Sequence, residues 1–138
     1  MSDLAGACLC GAVSWSANGA PLWSAYCHCE SCKRNCAAPV AAFLGVADGS
    51  WSWTGAEPAT YRKADVTRFF CNRCGTPMAY RAERYPREIH FYTAHLTKGE
   101  APPRMHVHHA EATPWMIIKD TLKRHARTAL DTDEETQT

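Results

Sequence analysis

The chain has 138 residues, a formal net charge of +1 from 15 Lys and Arg against 14 Asp and Glu, and 46% hydrophobic residues. That length fits one domain with a small core of its own, and the balanced charge gives no general attraction to nucleic acid or to an anionic membrane surface. No run approaches the roughly 18 apolar residues of a membrane span, and residues 1–6 lack the basic start and apolar stretch of a secretory signal, so a soluble, cytoplasmic protein is expected.

Residues 12–18 alternate apolar and polar side chains as a half-buried strand does, and Asn18-Gly19 supplies a turn. Residues 22–26 read as a second strand that delivers the run Cys27-His28-Cys29-Glu30-Ser31-Cys32-Lys33-Arg34-Asn35-Cys36, in which residues 30–35 have room for one helical turn. Residues 40–46 form a continuous apolar strand ended by Asp48-Gly49, and residues 50–54 alternate again. Residues 59–62 and 66–70 pair as a hairpin around Lys63-Ala64-Asp65, and residues 78–81, 88–93 and 105–109 add three more strands. In residues 115–130, Met116, Ile117, Leu122, His125, Ala126 and Ala129 recur at loosely helical spacing, which gives a short C-terminal helical segment. Residues 131–138 are acidic and carry no aliphatic or aromatic side chain, so they read as a disordered tail behind a single domain of residues 1–130. The class is mainly β. Trp23, Trp51, Trp53 and Trp115 read as core or sheet-surface residues.

Eight cysteines are many for this length, and they fall as Cys8/Cys10, Cys27/Cys29/Cys32/Cys36 and Cys71/Cys74. Such close spacings make good chelates and poor disulfides, which weighs against a secreted disulfide scaffold. Cys8-Leu9-Cys10-Gly11 and Cys71-Asn72-Arg73-Cys74-Gly75 are two knuckles, each a thiol pair followed by a Gly able to take φ > 0. Together they offer four thiolates, enough to close a tetrahedral zinc site that ties the N-terminus to mid-chain. A redox dithiol at Cys71/Cys74 is the alternative.

Cys27, Cys29 and Cys32 then need a metal of their own. Three thiolates on a dication leave one net negative charge and one open corner. Such an ion is a poor Lewis acid for a carbonyl, yet it still takes a fourth thiol as a nucleophilic thiolate, so a thiol-bearing substrate is its natural guest. Cys36, one helical turn beyond Cys32, would close the corner if it were the fourth ligand. His28 lies between two ligands and should point away from them. An empty or redox thiol cluster is a further alternative.

These motifs resemble the glutathione-dependent formaldehyde-activating family, which includes the centromere protein V-type domains. The likeness rests on Cys8-x-Cys10-Gly11-Ala12-Val13, Cys27-His28-Cys29-x-x-Cys32-Lys33-Arg34, Arg68-x-Phe70-Cys71-x-x-Cys74-Gly75-Thr76-Pro77, His106-Val107 and Pro114-Trp115. The resemblance implies a β-tent fold of small antiparallel sheets stapled by zinc. It implies two zinc ions per chain, a structural one at Cys8, Cys10, Cys71 and Cys74 and a catalytic one at Cys27, Cys29 and Cys32. It also implies a carbon–sulfur lyase that joins glutathione to formaldehyde, or a related small aldehyde, as an S-hydroxymethyl adduct.

Glutathione carries two carboxylates, which makes Lys33 and Arg34 candidate partners beside the loop, with Arg62, Lys63 and Arg68 on the hairpin. His28 is the best-placed proton donor. His106 and His108 fall on one face of a strand, but no third metal ligand is evident beside them. A non-catalytic zinc-binding interaction module and a thiol-redox or metal-buffering protein are the rival functions. Pairing of exposed strand edges would give a homo-oligomer.

Overall fold

The computed structural model describes residues 2–129. In chain order the strands are β1 (Leu4–Ala7), β2 (Ser14–Ala17) and β3 (Trp23–Cys27), then helix α1 (Glu30–Cys36), then β4 (Ala41–Ala47), β5 (Trp51–Trp53), β6 (Ala59–Lys63), β7 (Val66–Phe70), β8 (Pro77–Ala82), β9 (Glu88–Tyr92), β10 (Leu96–Lys98), β11 (Met105–Val107) and β12 (Lys123–Arg124). Single 3₁₀ turns occupy Thr93–His95 and His109–Glu111. The fold is mainly β, as the alternating runs predict, and the acidic tail expected over 131–138 lies outside the described residues. Among the described residues no helix is long and apolar enough to cross a membrane.

The chain divides into two compact units, one of Met1–Trp23 with Leu44–Ala101 and the other of Ser24–Phe43 with Pro102–Thr138. The first unit contains an antiparallel sheet in the order β10-β1-β2-β5 and an antiparallel ladder β6-β7-β8-β9. Its core is aromatic. Trp15 is fully buried and stacks on Phe91 with ring centroids 3.8 Å apart, while Trp51 and Trp53 meet Phe91 edge-on. Leu4, Val13, Leu44, Met78 and Ile89 fill the space around them. Burial of one such aromatic ring is worth about 3–5 kcal/mol against truncation to Ala. Gly6 in β1 is there for room, since a Cβ at that position would come within 2.5 Å of Trp15 Nε1.

In the second unit β11 pairs parallel with β3, matching His106 to Tyr26 and Val107 to Cys27. It also pairs parallel with β12, so these two short pairings are parallel where antiparallel ones are expected. The helical segment expected over 115–130 is absent from residues 115–129. The backbone there is pinned by side chains instead: Asp120 Oδ1 accepts from Leu122 N–H and Arg124, and Arg124 also donates to the carbonyls of Leu122 and Ile118. Trp115 and Ile117 are exposed at 76% and 79%, contrary to the core or sheet-surface role expected for Trp115. With no apolar stripe buried, nothing would stabilise so short a helix.

Candidate functional site

The first cysteine cluster lies wholly in the first unit. Cys8 and Cys10 follow β1, and Cys71 and Cys74 lie between β7 and β8. Their ligand atoms all lie within 4.8 Å of one another. The sulfurs of Cys8 and Cys10 are 3.7 Å apart and those of Cys10 and Cys71 are 3.8 Å apart. A disulfide would need about 2.05 Å. A tetrahedral ion with bonds of about 2.3 Å to sulfur holds its sulfurs about 3.8 Å apart, so the donor set fits such an ion.

The knuckles are built as their Gly residues predict. Gly11 and Gly75 take φ of 82° and 80°. Val13 N–H donates to Cys8 Sγ at 3.2 Å, and the amides of Arg73 and Cys74 donate to Cys71 Sγ at 3.4 and 3.5 Å. Thr76, which the sequence presents without a role, links the knuckles. Its Oγ1 accepts from Leu9 N–H at 3.0 Å and lies 3.1 Å from Cys74 Sγ, in hydrogen-bond contact with it. That hydrogen bond is the chief reason the Cys74 thiol is held down to about 5. The signal was available: a hydroxyl residue immediately after the knuckle Gly can reach the sulfur it follows.

The second cluster lies wholly in the second unit and gathers Cys27, Cys29 and Cys32 within the same 4.8 Å limit. Cys27 ends β3, Cys29 caps α1, and Cys32 sits in the helix's first turn, where its N–H donates to Cys29 Sγ at 3.3 Å. Cys27 and Cys32 are buried. Hydrogen bonds from Cys27 and Cys32 hold Cys29 down to about 2, and the hydrogen bond with Cys29 pushes Cys27 far up. Cys29 thus carries the charge that Cys27 does not, which is the condition a bound cation relieves. Cys36 is outside this set; its thiol reaches the Lys33 carbonyl at 3.8 Å. Both clusters can bind metal ions and are compatible with zinc.

The remaining sequence candidates have separate surroundings. Lys33 Nζ donates to Glu111 O at 2.6 Å and Thr113 Oγ1 at 3.2 Å, with Glu30 3.5 Å away, so it ties α1 to the 3₁₀ turn at His109–Glu111. Arg34 is exposed on the same helix. Arg62 pairs with Glu83, and Arg68 is buried with its guanidinium 4.9 Å from the Tyr80 ring centre. His28 is buried, and its Nε2 meets His106 Nδ1 at 2.8 Å. His106 Nε2 in turn meets Asp120 Oδ2 at 2.9 Å. Burial, reinforced by the charges of His106, His109, Lys33 and Arg124, holds His28 down at about 4, so its ring is neutral near pH 7. His106 does not share a strand face with His108, because β11 ends at Val107 and His108 turns to φ 54°.

Residues 3–111 match the family model described as glutathione-dependent formaldehyde-activating enzyme. The chain is 31% identical over 99 residues to a protein of Schizosaccharomyces pombe named uncharacterized lyase C29B12.13, covering 72% of each chain. A crystal structure of a Rhodobacter sphaeroides protein shares the fold with a TM-score of 0.58 at 22% identity, over 71% of this chain and 91% of that one.

Proposed function

Since the chain belongs to the glutathione-dependent formaldehyde-activating enzyme family, we propose that it is a zinc-dependent carbon–sulfur lyase joining the thiol of glutathione to formaldehyde or a related small aldehyde. The observation that carries this reading is the close group of buried Cys27, half-buried Cys29 and buried Cys32, with the thiol of Cys36 turned to the Lys33 carbonyl. These residues would hold one zinc ion, and Cys8, Cys10, Cys71 and Cys74 a second, structural one. A zinc ion held by Cys27, Cys29 and Cys32 would supply the positive charge that lets a guest thiol ionise near neutral pH.

The reaction balances without an oxidant. A carbon–sulfur bond forms, the carbonyl π pair moves to oxygen, and the proton lost by the thiol is restored at the alkoxide from water. The protein's own contribution is mostly position, because thiols and formaldehyde combine unaided. Arg34 is assigned to a glutathione carboxylate, since it projects exposed from the helix that carries Cys32. Lys33 is assigned to holding that helix through Glu111 and Thr113. His28 has Nε2 engaged by His106, so its assignment is to fix the loop between two ligands.

The test is exchange NMR between glutathione and formaldehyde with the purified holoprotein. An acceleration of tenfold or more, lost in Cys29→Ser and kept in Cys36→Ser, is the expected result. An exchange rate equal to the uncatalysed one with formaldehyde and with other small aldehydes overturns the reading.

A further inference from the structure

A second kind of donor cluster sits in the same unit. His28, His106 and His109 each offer a ring nitrogen, and the three nitrogens lie within 4.8 Å of one another. His28 and His106 are buried at 4% and 0% exposure, and His109 is half-buried, which leaves one side open for entry. The three rings are packed closely, with centroids 4.9–5.6 Å apart.

Two features orient these nitrogens. The first is Asp120. Its Oδ1 accepts from Leu122 N–H at 3.0 Å and from Arg124 Nη1 at 2.8 Å, and a carboxylate oxygen can only accept. His106 Nε2 therefore donates to it, and in the neutral ring Nδ1 is left as a lone pair directed at His28 Nε2. A carboxylate behind a histidine whose other nitrogen is free is the usual support of a metal-ligating imidazole. The second feature is His108. It takes the left-handed backbone conformation, uncommon for a residue with a side chain, immediately before the turn that brings His109 to the cluster. The amides of His108 and His109 are held in that turn by the carbonyls of Arg127 and His125.

We propose that His28 Nε2, His106 Nδ1 and a ring nitrogen of His109 form a third metal site, for a divalent transition ion that favours imidazole, with Asp120 as its supporting carboxylate. Zinc, cobalt, nickel and copper fall in this class; the hard ions magnesium and calcium do not. Binding needs one rearrangement of protons. The hydrogen that His28 Nε2 gives to His106 moves to His28 Nδ1, so the ring changes tautomer and stays neutral. The two nitrogens, now 2.8 Å apart, open to about 3.4 Å on a tetrahedral ion with bonds of about 2.1 Å. Three neutral imidazoles leave the ion its full positive charge, so the fourth position takes water or an anion. This site uses no cysteine and does not depend on the lyase reading.

The test is equilibrium dialysis of the full-length holoprotein against buffered free zinc, with metal counted per chain. The wild-type protein is expected to hold one more zinc than His109→Ala, and Asp120→Asn to bind that extra zinc about 10–100-fold more weakly. The wild-type protein also gives a readout that needs no variant. In ¹⁵N-edited imidazole spectra, zinc should shift His106 Nδ1 and move the His28 proton from Nε2 to Nδ1. Equal zinc content in wild type and His109→Ala, or imidazole spectra unchanged by zinc, overturns the proposal and leaves the three histidines as a hydrogen-bonded cluster.

Discussion

Lys33 and Arg34 are neighbours with the same charge and opposite surroundings. The Lys33 side chain is 11% exposed and spends its ammonium on the Glu111 carbonyl and the Thr113 hydroxyl, which itself donates to Pro39 O. Hydrogen bonds to a buried charged donor contribute about 1.5–3 kcal/mol. Lys33→Met should therefore lower the unfolding free energy by about 2 kcal/mol in urea denaturation. Arg34 has no such tie, so Arg34→Ala should leave stability within about 0.5 kcal/mol. If Arg34 meets a glutathione carboxylate, Arg34→Ala raises KM for glutathione about 5–10-fold with kcat little changed, since an exposed contact made equally in ground and transition states affects binding alone. A stable Lys33→Met protein with raised KM would reverse these two assignments. The adjacent basic pair reads the same at both positions in the sequence; only the path of the Glu111–Thr113 backbone separates them.

Helix α1 is short, and its ends are set by two residues that also serve the cysteine loop. Cys29 caps the start by accepting the Cys32 amide, and Ala37 closes the end in the left-handed conformation, φ 55° and ψ 42°, with its N–H on Lys33 O. A residue with a Cβ is strained in that position and Gly is not. Ala37→Gly should raise thermal stability by about 0.5–1 kcal/mol, read as a shift in the unfolding midpoint, without loss of metal from the neighbouring cysteines. A midpoint that falls would mean the gain in chain entropy of the unfolded state outweighs the relieved strain. At this scale much was legible. The hairpin of β6 and β7 falls where the two runs flanking Lys63-Ala64-Asp65 place it, and the knuckle glycines announce their φ. What was hidden has local causes. β1 is Leu-Ala-Gly-Ala, poor in strand formers because Gly6 must make room for Trp15. β10 and β12 are too short to show a period. The histidine site draws on residues 28, 106 and 109, and a strand period carried past Val107 selects His108 in place of His109.

Across the whole molecule the chemistry is partitioned by unit: each cysteine cluster is complete within one of them. Stability of the first unit then depends on its four thiolates and on its aromatic core, and acid acts on both. At the core edge His95 Nε2 accepts from Trp15 Nε1 at 2.9 Å, which requires that nitrogen to be unprotonated. Burial pushes His95 down to about 4, against an opposing pull from the Pro77 carbonyl. In the unfolded chain the same group titrates near 6.5. Between these values the unfolded state binds more protons, so stability rises with pH there. The contribution of neutral His95 is complete above about pH 6.5, is lost as pH falls toward 4, and changes no further below that. The full span amounts to about 3 kcal/mol. Acid also strips metal from thiolates, which would mask the effect in the wild-type protein alone. The comparison that isolates it is His95→Gln, whose amide oxygen can accept the same indole N–H and does not titrate. Both proteins lose metal alike, so the difference in their unfolding free energies reports His95. The variant should gain on the wild type by about 3 kcal/mol between pH 6.5 and pH 4 in denaturant titrations. A difference that stays constant over that interval would mean that His95 is already solvated in the folded protein and that Trp15 does not depend on its lone pair.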